Sequence, residues 1–326
     1  MAVYRSRPAL LDAPSRRGVL GAGLAGALLS ACGANTPDEV LVLGDQANLS
    51  RAKIEAAGLL KDRPYAFRWA NFAGAAPLFE AVMAGAVDTA PAGDTPVLAA
   101  AAAGVPIKLV AASQSSGRGV ALLVAGNSPI KTVQDLKGRS VIVSSARGSV
   151  AHYLLLGALK EAGLQLSDVK IGFMLPGDAQ AAFDAGRIEV WGTFGLYQAL
   201  AEHRGARVLR DGVGINTGLN FITASQRALV SPAKRRAIAD ALEQFASANL
   251  WANAHKDAYA AVFAKVTGAP LDVAKLVVER ENPVLKPVTP AVTARLQTVA
   301  DTFFQAGLLP KAVNTAALAD TSLFAG

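Results

Sequence analysis

Ten short runs of apolar and β-branched residues punctuate the chain, at residues 40–43, 66–70, 87–90, 107–111, 120–124, 140–144, 169–174, 188–191, 207–209 and 221–224, and stretches with helical spacing separate most of them. Strands joined through helices pair in parallel, because each crossover returns the chain to the same end of the sheet. The alternation predicts an α/β fold of mostly parallel sheets covered by helices. Several helices carry their own punctuation. One at residues 75–83 runs up to Gly85, and one at 150–162 ends at Gly163. Ser231-Pro232 opens a helix reaching about Ala254, and Thr289-Pro290 opens another in which Val292, Leu296, Val299 and Phe303 recur at spacings of three and four before Gly307 stops it.

The beginning of the chain reads differently. Arg16-Arg17 precedes an apolar run from Gly18 to Leu29, shorter than the roughly 20 residues that span a bilayer core, so a signal segment over residues 1–31 is expected rather than a membrane helix. Ser15-Arg16-Arg17 with Val19 in the aromatic position resembles a twin-arginine address; a general secretory signal has the same consequence, export. Leu29-Ser30-Ala31-Cys32 resembles a bacterial lipobox, which makes Cys32 the acylated first residue of the mature protein and leaves inner or outer membrane open. Cys32 is the chain's single cysteine, so no internal disulfide forms. Gly21, Gly23 and Gly26 match a dinucleotide fingerprint, but no strand precedes them and the match is accidental.

Removing residues 1–31 takes away four arginines and one aspartate, so the formal charge falls from +7 to +4. The remaining basic residues are scattered. Lys234-Arg235-Arg236, the longest run, reads as a solvated helix face, and no nucleic-acid patch emerges. The 295 residues left exceed what a single core usually holds, which predicts two lobes. His152, His203 and His255 lie far apart, outside any zinc motif, and no G-x-S-x-G occurs. Neither a metal, a cofactor nor a catalytic residue is indicated. Ser149 and His152 stand three apart with no third orienting group.

Strand-to-helix junctions offer a different chemistry. Gly148-Ser149 follows the run at 140–144 and opens the helix containing His152, so unpaired N–H groups point outward from the carboxyl end of a parallel strand, where open α/β sheets bind anions. Ser149 serves equally as an N-cap. At Ala90-Pro91-Ala92-Gly93-Asp94-Thr95-Pro96, Asp94 reads as an N-cap and Thr95 as the ligand contact; at Gly44-Asp45-Gln46-Ala47-Asn48, Gln46 faces a ligand and Asn48 caps. Three such starts converging from two lobes make a pocket of neutral donors, suited to an oxyanion held without a buried counter-charge. Arg118 adds one charge or is a solvated hinge residue.

These residues carry a resemblance. Phe72-Ala73-Gly74, Gly93-Asp94-Thr95-Pro96, Ser128-Pro129-Ile130-Lys131, Gly148-Ser149 with His152-Tyr153-Leu154-Leu155, Gly205-Ala206-Arg207-Val208-Leu209 and Gly307-Leu308-Leu309-Pro310-Lys311 resemble, in order, the aliphatic sulfonate-binding proteins of ABC importers, a group that includes taurine, nitrate and thiamine-precursor receptors. The resemblance implies a type II periplasmic binding fold: residues 38–116 and 225–326 in one lobe, 117–224 in the other, with crossovers near Gly117 and at 218–221. It implies a monomeric, lipid-anchored periplasmic receptor that closes on a small anionic organosulfonate and hands it to an inner-membrane permease. The implied site is Gln46, Phe72, Gly93, Asp94, Thr95, Arg118, Gly148, Ser149, His152 and Phe194, with no cofactor. Where the family carries Trp-Asp-Pro, this chain has Phe194-Gly195-Leu196. Loss of that aspartate disfavours an amine-bearing ligand, and Phe194, Trp191, Phe72 and Tyr197 either line an apolar or aromatic tail site or belong to the core. Two other readings stay open: a receptor for a neutral heterocycle such as a thiamine precursor, and an exported enzyme working through Ser149 and His152.

Overall fold

The computed structural model describes residues 40–325 apart from Asn282. The signal segment and Cys32 lie outside the described residues. Every expected strand is present. The first sheet contains β1 (Leu41–Gln46), β2 (Phe67–Phe72), β3 (Thr89–Gly93), β4 (Ile107–Gln114) and β10 (Leu219–Ser225), in the order β2-β1-β3-β10-β4. The second contains β5 (Val120–Val124), β6 (Ser140–Val143), β7 (Lys170–Phe173), β8 (Val190–Phe194) and β9 (Arg207–Asp211), in the order β7-β6-β8-β5-β9.

The two orders are one pattern used twice. In each sheet the fourth strand, β10 or β5, runs antiparallel to both neighbours. Both are the first strands after the chain changes sheets, so each enters from the end where its neighbours leave. β10 belongs to the first sheet over its whole length, which moves the expected return at residue 225 back to Gly218.

The helices are α1 (Leu49–Ala56), α2 (Ala75–Met83), α3 (Asp94–Ala102), α4 (Val150–Glu161), α5 (Pro176–Asp184), α6 (Gly195–His203), α7 (Gln226–Val230), α8 (Pro232–Ala254), α9 (Lys256–Thr267), α10 (Leu271–Arg280), α11 (Pro290–Gln305) and α12 (Thr315–Leu318). Ser231 and Thr289 cap α8 and α11 through their hydroxyls, each with proline at the first turn. On α11, Leu296, Val299 and Phe303 are buried against one face of the first sheet, together with residues of α2 and α3. Residues of α1 and α8 cover its other face, and α4 covers one face of the second sheet.

A further cluster joins α6 to α8, α9 and α10, through Ala199, Ala252, Phe263 and Val277 among others. There Arg280 donates to both oxygens of Glu202 at 2.9 and 2.7 Å, tying α10 to a helix of the second sheet.

The basic run on α8 is not a solvated face. Lys234 is buried and places its Nζ 3.0 and 2.9 Å from the two oxygens of Asp88, while Arg235 is half-buried and pairs with Asp320, and of the three only Arg236 is exposed. No helix among the described residues is long and apolar enough to cross a membrane.

The sheets are connected by two segments, residues 115–119 and 212–218, that lie side by side. Ser115 N–H donates to Gly218 O at 2.8 Å and Gly212 N–H to Gly117 O at 3.2 Å.

Candidate functional site

A cleft of about 410 Å³ is lined from one side by the carboxyl ends of β1 and β3 and by β10, and from the other by Val120, Ser145, Ser149, Val150 and Phe194. Carboxyl ends of parallel strands are where the outgoing helices present their unpaired N–H groups. Of the expected site residues, Gln46, Gly93, Asp94, Ser149 and Phe194 line this cleft. Phe72, Thr95, Arg118, Gly148 and His152 do not.

The reasons are local. Gly148 N–H donates to His152 Nδ1 at 3.1 Å and Ser149 N–H to Ala146 O at 3.1 Å, so both amides are spent inside the turn. His152 is buried, and desolvation, with Arg147 nearby, lowers its pKa to about 4. It stays neutral and accepts at Nδ1. The Ser149 hydroxyl caps α4 by accepting from His152 N–H at 3.3 Å and gives its own proton to Ser144 O at 2.6 Å. Serine and imidazole therefore form no nucleophile–base pair. The amides α4 leaves without an intrahelical acceptor are those of Val150 and Ala151. Thr95 is fully buried, its hydroxyl without a partner, Arg118 is exposed on the crossover, and Phe72 packs on the core of the first sheet. Tyr197 lines the cleft beside Phe194, whereas Trp191 is buried and donates its indole N–H to Ser144 Oγ at 2.9 Å.

The other two expected junctions are already occupied by carboxylates. Asp45, not Asn48, serves α1: its oxygens accept from Gln46, Ser50 and Arg51 amides at 2.8, 3.0 and 2.9 Å. Gln46 spans to β3, donating Nε2–H to Pro91 O at 2.7 Å. Asp94 accepts from Thr95 N–H at 2.7 Å and from the Thr217 hydroxyl on the second crossover. Arg295 extends this link, donating to Thr217 O and Gln114 Oε1, each at 3.0 Å.

Burial raises the Asp94 carboxyl to about 6, with the Thr217 hydrogen bond opposing. A folded-state value above the unfolded 3.8 means the native state holds the proton more tightly, so stability falls as pH rises from about 4 to about 6 and is level above. The Asp94→Asn variant is expected to flatten that slope and to be more stable at pH 7.5 by on the order of 2 kcal/mol, read by urea unfolding at pH 4.5 and 7.5.

Two open helix starts went unnoticed in the sequence. Neither α2, after Gly74, nor α6, after Phe194, has a side-chain cap, and Ala75, Leu196 and Tyr197 at their first positions line the cleft. Ser145 adds a hydroxyl that makes no hydrogen bond among the described residues. Helices from both sheets meet here, since a Cβ on Gly93 would stand 2.9 Å from Val150 Cγ1.

Lys53 and Glu281 also line the cleft and were not anticipated. Desolvation lowers the Lys53 pKa against the pull of Glu281 and Asp45, and raises Glu281 against the pull of Lys53. Solvent reaches Glu281, yet protein surrounds it closely enough for that cost to be felt. The cleft is thus not a purely neutral donor set.

The comparisons with known proteins agree with this frame. The family described as NMT1/THI5 like matches residues 73–247. The aliphatic sulfonates-binding protein of Escherichia coli (strain K12) is 33% identical over 299 residues, 90% of this chain and 92% of that protein. The alkanesulfonate-binding protein SsuA from Xanthomonas axonopodis pv. citri, solved bound to MOPS, superposes with a TM-score of 0.80 at 29% identity, covering 86% of this chain and 98% of its own. The periplasmic aliphatic sulphonate binding protein SsuA of Escherichia coli gives 0.76 at 32%, with 86% and 97% covered. A desulfurization enzyme, DszB, shares the fold at 18% identity and a TM-score of 0.60. The two-sheet architecture, the matched span and the relatives that run nearly end to end lead to one conclusion: this chain belongs to the NMT1/THI5-like family, alongside the aliphatic sulfonate-binding proteins.

Proposed function

We propose that this chain is the solute-binding component of an ABC importer and takes a small organosulfonate into the cleft between its two sheets. In this reading residues 40–116 with 219–325 act as one lobe and 117–218 as the other, and the pair closes on the ligand about the crossovers. The observation that carries it is that three helix starts border the cleft with amides left over: α2 and α6 have no side-chain cap, and on α4 the Ser149 hydroxyl takes only His152 N–H, leaving Val150 and Ala151. A sulfonate presents three oxygens that accept from such amides, and its charge is favoured by the helix dipoles. The receptor works without chemistry, as a monomer held at the membrane by acylated Cys32 after export.

Calorimetric titration of the mature protein with C2 to C6 alkanesulfonates tests this. Micromolar or tighter affinity is expected. Loss of one hydrogen bond to a charged group is worth about 1.5 kcal/mol, so Ser145→Ala should weaken binding about tenfold while leaving stability unchanged. Absence of binding across the series would sink the ligand class.

A further inference from the structure

The cleft contains two opposite charges that do not pair. Lys53 Nζ donates to Asn249 Oδ1 at 2.9 Å and lies 5.3 Å above the Tyr259 ring, but among the described residues no carboxylate oxygen stands within salt-bridge distance of it. An ammonium has three donors, so two remain to be satisfied. Asp45, whose charge also acts on Lys53, has spent both oxygens on backbone amides. Glu281 follows the last residue of α10, where its N–H donates to Val277 O at 3.0 Å, and its carboxylate makes no hydrogen bond among the described residues. Its Oε1 faces bare backbone across the cleft, 3.6 and 3.9 Å from where a Cβ would stand on Gly195 and Gly119. The two groups feel one another's charge without meeting.

A ligand that fills the cleft takes water from both charges, and the group that enters between them is selected by both. A second anion is repelled by Glu281, a cation by Lys53, and an apolar tail leaves each unsatisfied. A hydroxyl fits, accepting from the ammonium and donating to the carboxylate. We propose that the organic part of the ligand carries a hydroxyl group, held between Lys53 and Glu281, so that these two side chains set specificity for hydroxylated over plain alkanesulfonates. This rests on the sulfonate reading above.

The test is a calorimetric comparison of 2-hydroxyethanesulfonate, 3-hydroxypropanesulfonate and 2,3-dihydroxypropanesulfonate with ethanesulfonate and propanesulfonate, on the mature protein and on Lys53→Met and Glu281→Gln. At least one hydroxylated ligand is expected to bind tenfold or more tighter than its parent. That preference, the ratio of the two affinities measured on the same variant, should shrink to within twofold in both variants. Glu281→Gln preserves shape, and thermal unfolding of each variant checks that it is folded. Parents that bind as well as their hydroxylated counterparts overturn the inference, as does a variant that weakens both kinds equally. If no sulfonate of either kind binds, the sulfonate reading itself falls.

Discussion

Lys234→Met is expected to destabilise the protein by about 3–5 kcal/mol, because it strands a buried carboxylate. The Lys234 and Asp88 side chains are 6% and 1% exposed, and water has little access to either. Asp88 is also the knot between strands: Oδ2 accepts from Val42 N–H at 2.8 Å, its own N–H donates to Val42 O at 2.9 Å, and its carbonyl accepts from Ser225 N–H at 2.8 Å. An unpaired charge at this point disturbs β1, the approach to β3 and the end of β10 together. Asp88→Asn alone should cost a similar amount, since it leaves the ammonium buried. The paired replacement Asp88→Leu with Lys234→Met removes both charges, and well-packed apolar pairs are often neutral relative to a buried ion pair, so most of the loss should return. Urea unfolding of the two singles and the double gives the coupling. Singles costing under 1 kcal/mol would mean that water reaches the pair.

Lys234 also marks where the sequence stops being readable. Three consecutive basic residues on a helix look alike in one dimension, and only the fold decides that the first points inward to Asp88, 146 positions away. Strands were legible because each is short and bounded by turn residues, and most bury a run of apolar side chains, a pattern that is local. The antiparallel placement of β5 and β10 was not, since it follows from which sheet the chain has just left.

The cleft was partly legible: five of the ten expected site residues line it and five do not. Strand, glycine, helix start led to it, and the three junctions singled out were those richest in Asp, Ser and Thr. Such side chains consume the amides they border, as Asp45 does at α1 and Asp94 at α3. Starts without a capping side chain, Gly74-Ala75-Ala76 at α2 and Phe194-Gly195-Leu196 at α6, leave their amides free of side-chain acceptors, although Gly195 N–H donates to Gly119 O at 2.7 Å. On the proposed reading, absence of a cap is the usable signal. Lys53 and Glu281 gave none, being 228 residues apart, one on α1 and the other just past the end of α10, and reaching the cleft together only in three dimensions.

Gly218→Ala is expected to cost 3 kcal/mol or more and to weaken ligand binding at least a hundredfold, with φ and crowding acting together. Gly218 has φ +69°, and a Cβ there would lie 2.1 Å from Ser115 O, backbone that cannot swing aside. The neighbouring crossover is held at this spot by Ser115 N–H donating to Gly218 O, so relief of the clash breaks the bond that aligns the two connections. Gly214 supplies the control in the same segment. Its φ is +80°, but nothing stands within 4 Å of its Cβ position, so Gly214→Ala should lose only the roughly 1 kcal/mol of a left-handed alanine and bind normally. The difference between the two variants therefore isolates the close approach of the crossovers from the cost of φ. On the proposed reading it also links fold to function, because the helix starts of α2 on one sheet and of α4 and α6 on the other would serve one ligand only while these segments fix how the sheets face. Denaturation curves and sulfonate titrations of both variants measure it, and equal behaviour would show that the crossovers can separate without disturbing the cleft.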